Sequence, residues 1–143
     1  MNRQSAPLRI SLDANILFSA AKSDGAVRAL LLLLQDLGHE CCADPYVIAE
    51  AQRNLARKGA GATAALDDLL GRIEILPLRP MSGPNTQLEW LPEKDRPVLG
   101  AAIAARCDAL VTGDRAHFGI GYGKRFGGVM IHSPRSLAEA VLS

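Results

Sequence analysis

Four acids, Asp13, Glu50, Asp95 and Asp114, sit where apolar patterning leads one to expect something else. Asp13 interrupts "LRISLDANILFSA" with Leu12 before it and Ile16 and Leu17 after it. A carboxylate carried into such a run is costly unless it is paired or joined to a metal. Asp114 closes "DALVTGD" behind Gly113, and Asp95 opens "DRPVLGAAIAARC" just ahead of Pro97. Glu50 lies about two turns into "YVIAEAQRNLARK", bordering the apolar face marked by Val47 and Ala51. Ordinary explanations exist for three of them: Asp95 as a helix N-cap, Glu50 as an exposed helix residue, Asp114 as a turn residue beside glycine. Asp13, whose ordinary reading is a local strand cap, is the hardest to explain away, because the apolar context continues on both sides of it. Three or four carboxylates brought to one place repel each other unless a divalent cation joins them. An all-oxygen ligand set selects a hard ion, so Mg²⁺ or Mn²⁺ is expected ahead of zinc.

The remaining metal-competent residues do not build a rival site. His39, His117 and His132 share no ligand spacing with each other or with Cys41, Cys42 and Cys107. The cysteines form no disulfide framework either, and read as buried thiols in a reducing compartment. His117, close after Asp114, is a candidate contact to substrate. Asp67 and Asp68 lie mid-helix and Asp108 begins a strand at the opposite sheet edge, so all three read as surface.

Elements must position these acids, and the chain supplies them in alternation. Leu8 to Asp13 reads as a first strand. Asp24 and Gly25 open a helix that runs through Leu37 and stops at Gly38. A short strand follows at Glu40 to Ala43, and Asp44 with Pro45 starts a helix that ends near Gly59. Thr63 to Leu70 is helical, "RIEILPL" alternates as a third strand, and Pro77 to Pro92 reads as a loop punctuated by four prolines and Gly83. "DRPVLGAAIAARC" is a helix, "DALVTGD" a fourth strand, "GGVMIHS" a fifth, and "SPRSLAEAVL" a closing helix capped by Ser133. Strand and helix in turn argue for an α/β domain with a mainly parallel sheet of about five strands and helices on both faces. In open sheets of this kind ligands bind beyond the carboxyl ends of the strands, which is where Asp13 and Asp114 fall.

The bulk numbers are consistent with that. The 143 residues suit one domain over 1–143, and 48% hydrophobic with 22% charged residues is ordinary for a globular protein. With aromatics at 4%, the core must be Leu, Ala, Ile and Val. A net charge of +1 neither demands nor excludes a polyanionic partner. "MNRQSAPLRI" lacks the apolar segment of a secretory signal, and Leu30 to Leu34 is too short to span a bilayer, so a cytoplasmic location without a membrane partner is expected.

"LDANILFSA", "PYVIAEAQRNL" and "KDRPVLGAAIAARCDALVTGDRAHF" together resemble the PIN-domain nucleases, most closely the prokaryotic toxin ribonucleases of toxin–antitoxin pairs. The resemblance covers nearly the whole chain in order. It implies a PIN-like three-layer α/β/α sandwich and a Mg²⁺- or Mn²⁺-dependent endoribonuclease acting on RNA phosphodiester bonds. Its acid positions fall on Asp13, Glu50, Asp95 and Asp114 as catalytic and metal-binding residues, with Asn15 and Thr112 as polar supports. It further implies a small protein antitoxin as partner and a homodimer. Many relatives carry a further acid after the fourth, where this chain has "RAHFG".

A polyanion needs a basic rim around an acidic site. Lys22, Arg53, Arg57, Lys58, Arg96, Arg115, Lys124 and Arg125 are candidates, with His117 beside them. "GIGYGKRFGG" is no phosphate-binding loop, since Lys124 is followed by neither Ser nor Thr and no helix starts there. It reads as a mobile loop that could touch RNA through Tyr122, Lys124 and Arg125. Two other functions compete. A haloacid dehalogenase-like phosphatase would want an acid two residues after Asp13, where Asn15 stands. A catalytically silent PIN-like nucleic-acid-binding module would have no need of all four acids.

Overall fold

β1 (Arg9–Leu12) buries Ile10 and Leu12 completely, as its apolar run predicts. The computed structural model describes residues 6–58, 61–78 and 85–142. Directly after β1, with only Asp13 between, α1 (Ala14–Lys22) begins. The sequence reading has no helix before Asp24. Ala14, Ile16, Leu17, Ala20 and Ala21 nevertheless carry a helical spacing, and all five are buried. α2 (Ala26–Asp36) follows. Gly38, at φ 90°, takes the left-handed turn that ends it, and the His39 N–H bonds back to Leu34 O. After β2 (Glu40–Ala43), Asp44 caps α3 (Pro45–Lys58) by accepting the Val47 N–H at 2.8 Å. Gly59, the expected stop for α3, lies outside the described residues.

α4 (Thr63–Leu70) leads to β3 (Glu74–Ile75), which keeps only two of the seven residues of "RIEILPL" as strand. β3 pairs with β2 alone, so its alternation has a partner over only a short register, and both its residues are exposed. Of the proline-rich loop, residues 79–84 lie outside the described residues. A 3-10 turn at Glu93–Asp95 then feeds α5 (Arg96–Ala104) and β4 (Ala109–Val111). "GIGYGKRFGG", expected as a loop, instead holds a 3-10 turn at Gly119–Gly121 after α6 (Arg115–Phe118), and then β5 (Arg125–Phe126). β6 (Val129–His132) and α7 (Pro134–Leu142) complete the order, with Ser133 Oγ accepting the Ser136 N–H as the expected cap.

The described strands form one sheet in the order β3-β2-β1-β4-β6-β5, parallel throughout except for the β5–β6 hairpin. That hairpin adds a sixth strand to the five expected. The chain steps outward from β1 to β2 and β3, then returns to the other side of β1 for β4. Right-handed crossovers therefore put α1 to α4 on one face and α5 on the other, giving the three-layer α/β/α sandwich expected of a PIN-like fold. α1 lies against α2, α3 and α4, and α5 against β4. Leu17, Leu34, Leu66, Leu99, Leu110, Ile131 and Leu137 are among the fully buried core residues, with Phe118 the largest. All three cysteines are buried and free. Among the described residues no helix is long and apolar enough to cross a membrane. The reversal of strand order between β1 and β4 is a topological switch point, and the crevice it opens lies beyond Leu12 and Val111.

Candidate metal centre

Asp13 and Thr112 are the residues that follow β1 and β4, and the ladder continues through both: Asp13 N–H bonds to Val111 O at 3.1 Å and Thr112 N–H to His132 O at 2.9 Å. Asp13 is also the N-cap of α1, its Oδ1 accepting the Ala14 N–H at 2.7 Å. Its Oδ2 accepts the Thr112 hydroxyl at 2.8 Å and the Asn15 amide at 3.2 Å. Thr112 is fully buried and uses all its capacity, because Oγ1 also accepts from Asn15 Nδ2 (3.3 Å) and from the Asp114 N–H (3.1 Å). Asn15 Oδ1 in turn accepts the Gly113 N–H at 2.8 Å. Asn15 and Thr112 thus tie the turn after β1 to the turn after β4. Gly113 also leaves room for the Asn15 side chain. Its φ is not in the left-handed region, but a Cβ there would meet Asn15 Oδ1 at 3.3 Å.

Asp13 is only 5% exposed. Burial pushes its carboxyl up from 3.8 to about 6, the Thr112 and Ala14 hydrogen bonds pull it part of the way back, and the charges of Glu50 and Asp95 raise it again. Those two acids are therefore close enough to oppose its ionisation. Glu50 sits half-buried on α3, one turn after Tyr46, whose hydroxyl bonds to Lys94 O at 3.2 Å. Glu50, Asp95 and Asp13 all hold the Tyr46 hydroxyl above its usual range, second to burial itself. Sequence reasoning missed Tyr46. The available signal was its i, i+4 relation to Glu50 on one helix face.

Asp95 ends the Glu93–Asp95 turn, and its carboxylate caps no helix. The N-cap explanation of this residue therefore falls away. Asp114 does cap: its Oδ1 accepts the His117 N–H at 3.2 Å. His117 Nδ1 lies 2.9 Å from Asp95 Oδ2 and 2.9 Å from Asp114 Oδ2. Asp95, Asp114 and His117 each present a ligand atom within 4.8 Å of the others. Asp13 and Glu50 are outside this tight group, though the Asp95 charge acts on the Asp13 carboxyl. Burial raises the Asp95 carboxyl and the Asp114 charge adds to this, with His117 and Lys94 opposing.

Two features fit this donor set to a divalent cation. Asp95 Oδ2 and His117 Nδ1 are shielded from solvent, yet neither has a hydrogen bond of acceptable geometry. Among the described residues, moreover, no Lys or Arg forms an ion pair with Asp13, Glu50, Asp95 or Asp114.

The loop before Asp95 is held by aromatic packing that the sequence did not disclose. Trp90 stacks on Phe126 at 4.5 Å between centroids and meets Phe118 edge-on at 6.1 Å. Gly121 lies so close that a Cβ there would sit 2.5 Å from Trp90 Cη2. Arg96, a candidate for the basic rim, spends its guanidinium on this loop instead, bonding to Leu91 O at 2.9 Å and Glu89 O at 3.4 Å. The other basic candidates are exposed. Arg115 begins α6 beside Asp114, and Arg53 follows Glu50 by one turn of α3. Lys22 stands over the Phe18 ring at 5.4 Å, Arg57 bonds to Asn54, and Arg125 bonds to Gly128 O beside Lys124. Tyr122, which shares that segment, anchors its hydroxyl on Thr112 O at 2.8 Å. A cavity of about 610 Å³ runs beneath α5, lined by none of the four acids but bordering them through Tyr46.

A family model describing a PIN domain matches residues 9–116. No curated protein matches the chain. Among solved structures, the crystal structure of VapBC2 from Rickettsia felis bound to a DNA fragment from their promoter contains a chain that superposes with a TM-score of 0.63. The two share 19% sequence identity over 88% of this chain and 98% of that one. At that identity the likeness concerns the fold.

Proposed function

The chain belongs to the PIN-domain family, and we propose that it is a Mg²⁺- or Mn²⁺-dependent endoribonuclease that hydrolyses RNA phosphodiester bonds as the toxin of a toxin–antitoxin pair. The observation that carries this reading is a buried acid, Asp13, facing Asp95 and Glu50 at the switch point without any Lys or Arg paired to them. When bound, the cation would neutralise these acids, accept a phosphate oxygen and make hydroxide available from water near neutral pH. Asp95 and Asp114 would hold it, Asp13 would complete the charge, and Glu50 would stand on the opposite wall from α3. Thr112 and Asn15 would keep Asp13 in place through its Oδ2. Arg53 and Arg115, exposed on either side, would receive the flanking phosphates, with Lys22, Arg57, Lys124 and Arg125 as a wider rim. The likeness to VapBC2 supports a small protein antitoxin as partner. The same reading takes the protein as a cytoplasmic PIN-like domain able to form a homodimer.

The test is cleavage of a structured RNA with Mg²⁺ or Mn²⁺ by the wild type, Asp13→Asn and Asp114→Asn. Cleavage by the wild type, abolished in both variants and by a chelator, is expected. Equal cleavage by all three proteins overturns the site. Turnover of a small phosphate ester without RNA cleavage overturns the nuclease reading.

A further inference from the structure

We infer that His117 is a nitrogen ligand of the cation, and that it moves the ion preference of the site from Mg²⁺ toward Mn²⁺; this rests on the metal-dependent reading above. Four oxygens alone would suit Mg²⁺. The chain instead brings an imidazole between two of the acids, where "RAHF" follows Asp114.

Nδ1 of His117 is 2.9 Å from Asp95 Oδ2 and 2.9 Å from Asp114 Oδ2. One ring nitrogen carries at most one proton, so it cannot donate to both oxygens at once. Neither contact has hydrogen-bond geometry, so Nδ1 and Asp95 Oδ2 are both buried at ion-pair distance without a hydrogen-bond partner. The spacing has a simple alternative meaning. Adjacent donors around a six-coordinate ion with bonds of about 2.1 Å are separated by that length times the square root of two, roughly 3.0 Å. His117 Nδ1 stands at that separation from each of the two carboxylate oxygens, and all three donors lie within 4.8 Å of one another, as donors of one such shell would.

The other histidines are already committed. His39 Nδ1 accepts the Leu8 N–H at 2.9 Å, and His132 Nδ1 pairs with Ser136 Oγ at 2.8 Å. His117 is also placed by the backbone of its own short helix. Its N–H bonds to Asp114 Oδ1, and the next residue, Phe118, is fully buried against the edge of Trp90. Its ring is therefore delivered to the acids by the backbone of α6. Mg²⁺ dehydrates reluctantly and takes oxygen ligands, whereas Mn²⁺, the first of the transition series, takes an imidazole beside carboxylates more readily.

The test uses the full chain with Mn²⁺ as the probe. Electron spin-echo spectra of the bound ion are expected to show ¹⁴N modulation in the wild type, which disappears in His117→Asp while Mn²⁺ still binds. Calorimetry with each ion alone is expected to give Mn²⁺ an advantage over Mg²⁺ of about tenfold in the wild type, falling to roughly threefold or less in His117→Asp. Circular dichroism and His117→Ala provide a check that folding is intact and that the signal needs the ring. Mn²⁺ bound without nitrogen modulation, or with the same preference in His117→Asp, overturns the inference alone. A wild type that binds neither ion overturns the metal-dependent reading together with it.

Discussion

Replacing Asp13 with Asn should make the metal-free protein more stable while abolishing cleavage. The carboxyl of Asp13 stands at about 6 in the fold against an ordinary 3.8. At about 1.4 kcal/mol for each tenfold change in acidity, holding it ionised in its buried place costs roughly 3 kcal/mol. Asn has the same shape, keeps an oxygen for the Ala14 N–H, and removes the charge. Its amide would face Thr112 Oγ1, whose two acceptor positions are already taken by Asn15 and Asp114, and Asn15 Nδ2, which cannot accept, so about 2 kcal/mol is returned through two poorer hydrogen bonds. The net gain expected above pH 6 is therefore roughly 1 kcal/mol, or about 3 °C in the unfolding midpoint for a chain of this size. The pH dependence has a definite sign. Because the folded chain binds this proton more tightly than the unfolded one, Asp13 supports folding fully below pH 4 and loses that contribution as pH rises through about 6. The advantage of Asp13→Asn must accordingly vanish and turn into a deficit by pH 4, where only the poorer hydrogen bonding remains. Urea unfolding of both proteins in a chelator at pH 7.5 and pH 4 measures it. Saturating Mn²⁺ should reverse the ranking, since at about a hundred times the dissociation constant it adds roughly 2.7 kcal/mol to the wild type only. Equal stability at pH 7.5, or a gain of the same size at pH 4, would refute desolvation as the cause of the shift.

Thr112→Val keeps the shape of a fully buried side chain but removes the hydroxyl that serves Asp13, Asn15 and Asp114. Denaturant unfolding should show a loss of about 1–3 kcal/mol from the polar groups left unpaired. The acid limb of any pH–rate profile should also move upward, because the bond that lowers the Asp13 pKa is gone. Gly121→Ala drives a methyl to within 2.5 Å of Trp90 Cη2. It should cost roughly 1–3 kcal/mol by overpacking, read as a lower thermal midpoint. Mn²⁺ affinity should fall as well, since Trp90 anchors the loop that delivers Asp95; unchanged affinity would separate that loop from the site.

Much of the fold was legible because local chemistry and tertiary context agree. Asp44 with Pro45, Gly38 and Ser133 each act at the helix end that their residue types announce. α1 was not legible, because the strand before it ends and the helix begins around one residue, with no glycine or proline to mark the change. A polar cluster that reads as a strand ending is here an N-cap. β3 shrank because an edge strand finds partners on one side only. At the site, the acids could be read from their places in the apolar pattern. His117 was visible as a neighbour of Asp114, but its contact with Asp95 joins residues 22 positions apart and depends on how α6 folds back. Trp90 and Gly121 carry no local signature of their contact at all.

The manner in which the acids are held bears on the source of the missing positive charge. Elsewhere this chain neutralises acids with its own cations: Arg9 bridges Glu74 and Glu40, Arg72 reaches Asp68, and Arg28 reaches Asp24. At Asp13 it uses a hydroxyl, an amide and a backbone N–H, which fix direction without adding charge. Neutral donors orient Asp13 but leave its ionised form disfavoured above the usual carboxylate range. A lysine in their place would have lowered that pKa and occupied the space between the acids. The metal-free site is consequently the part of the fold that gains most from an external cation, and the nitrogen of His117 bears on which ion that is.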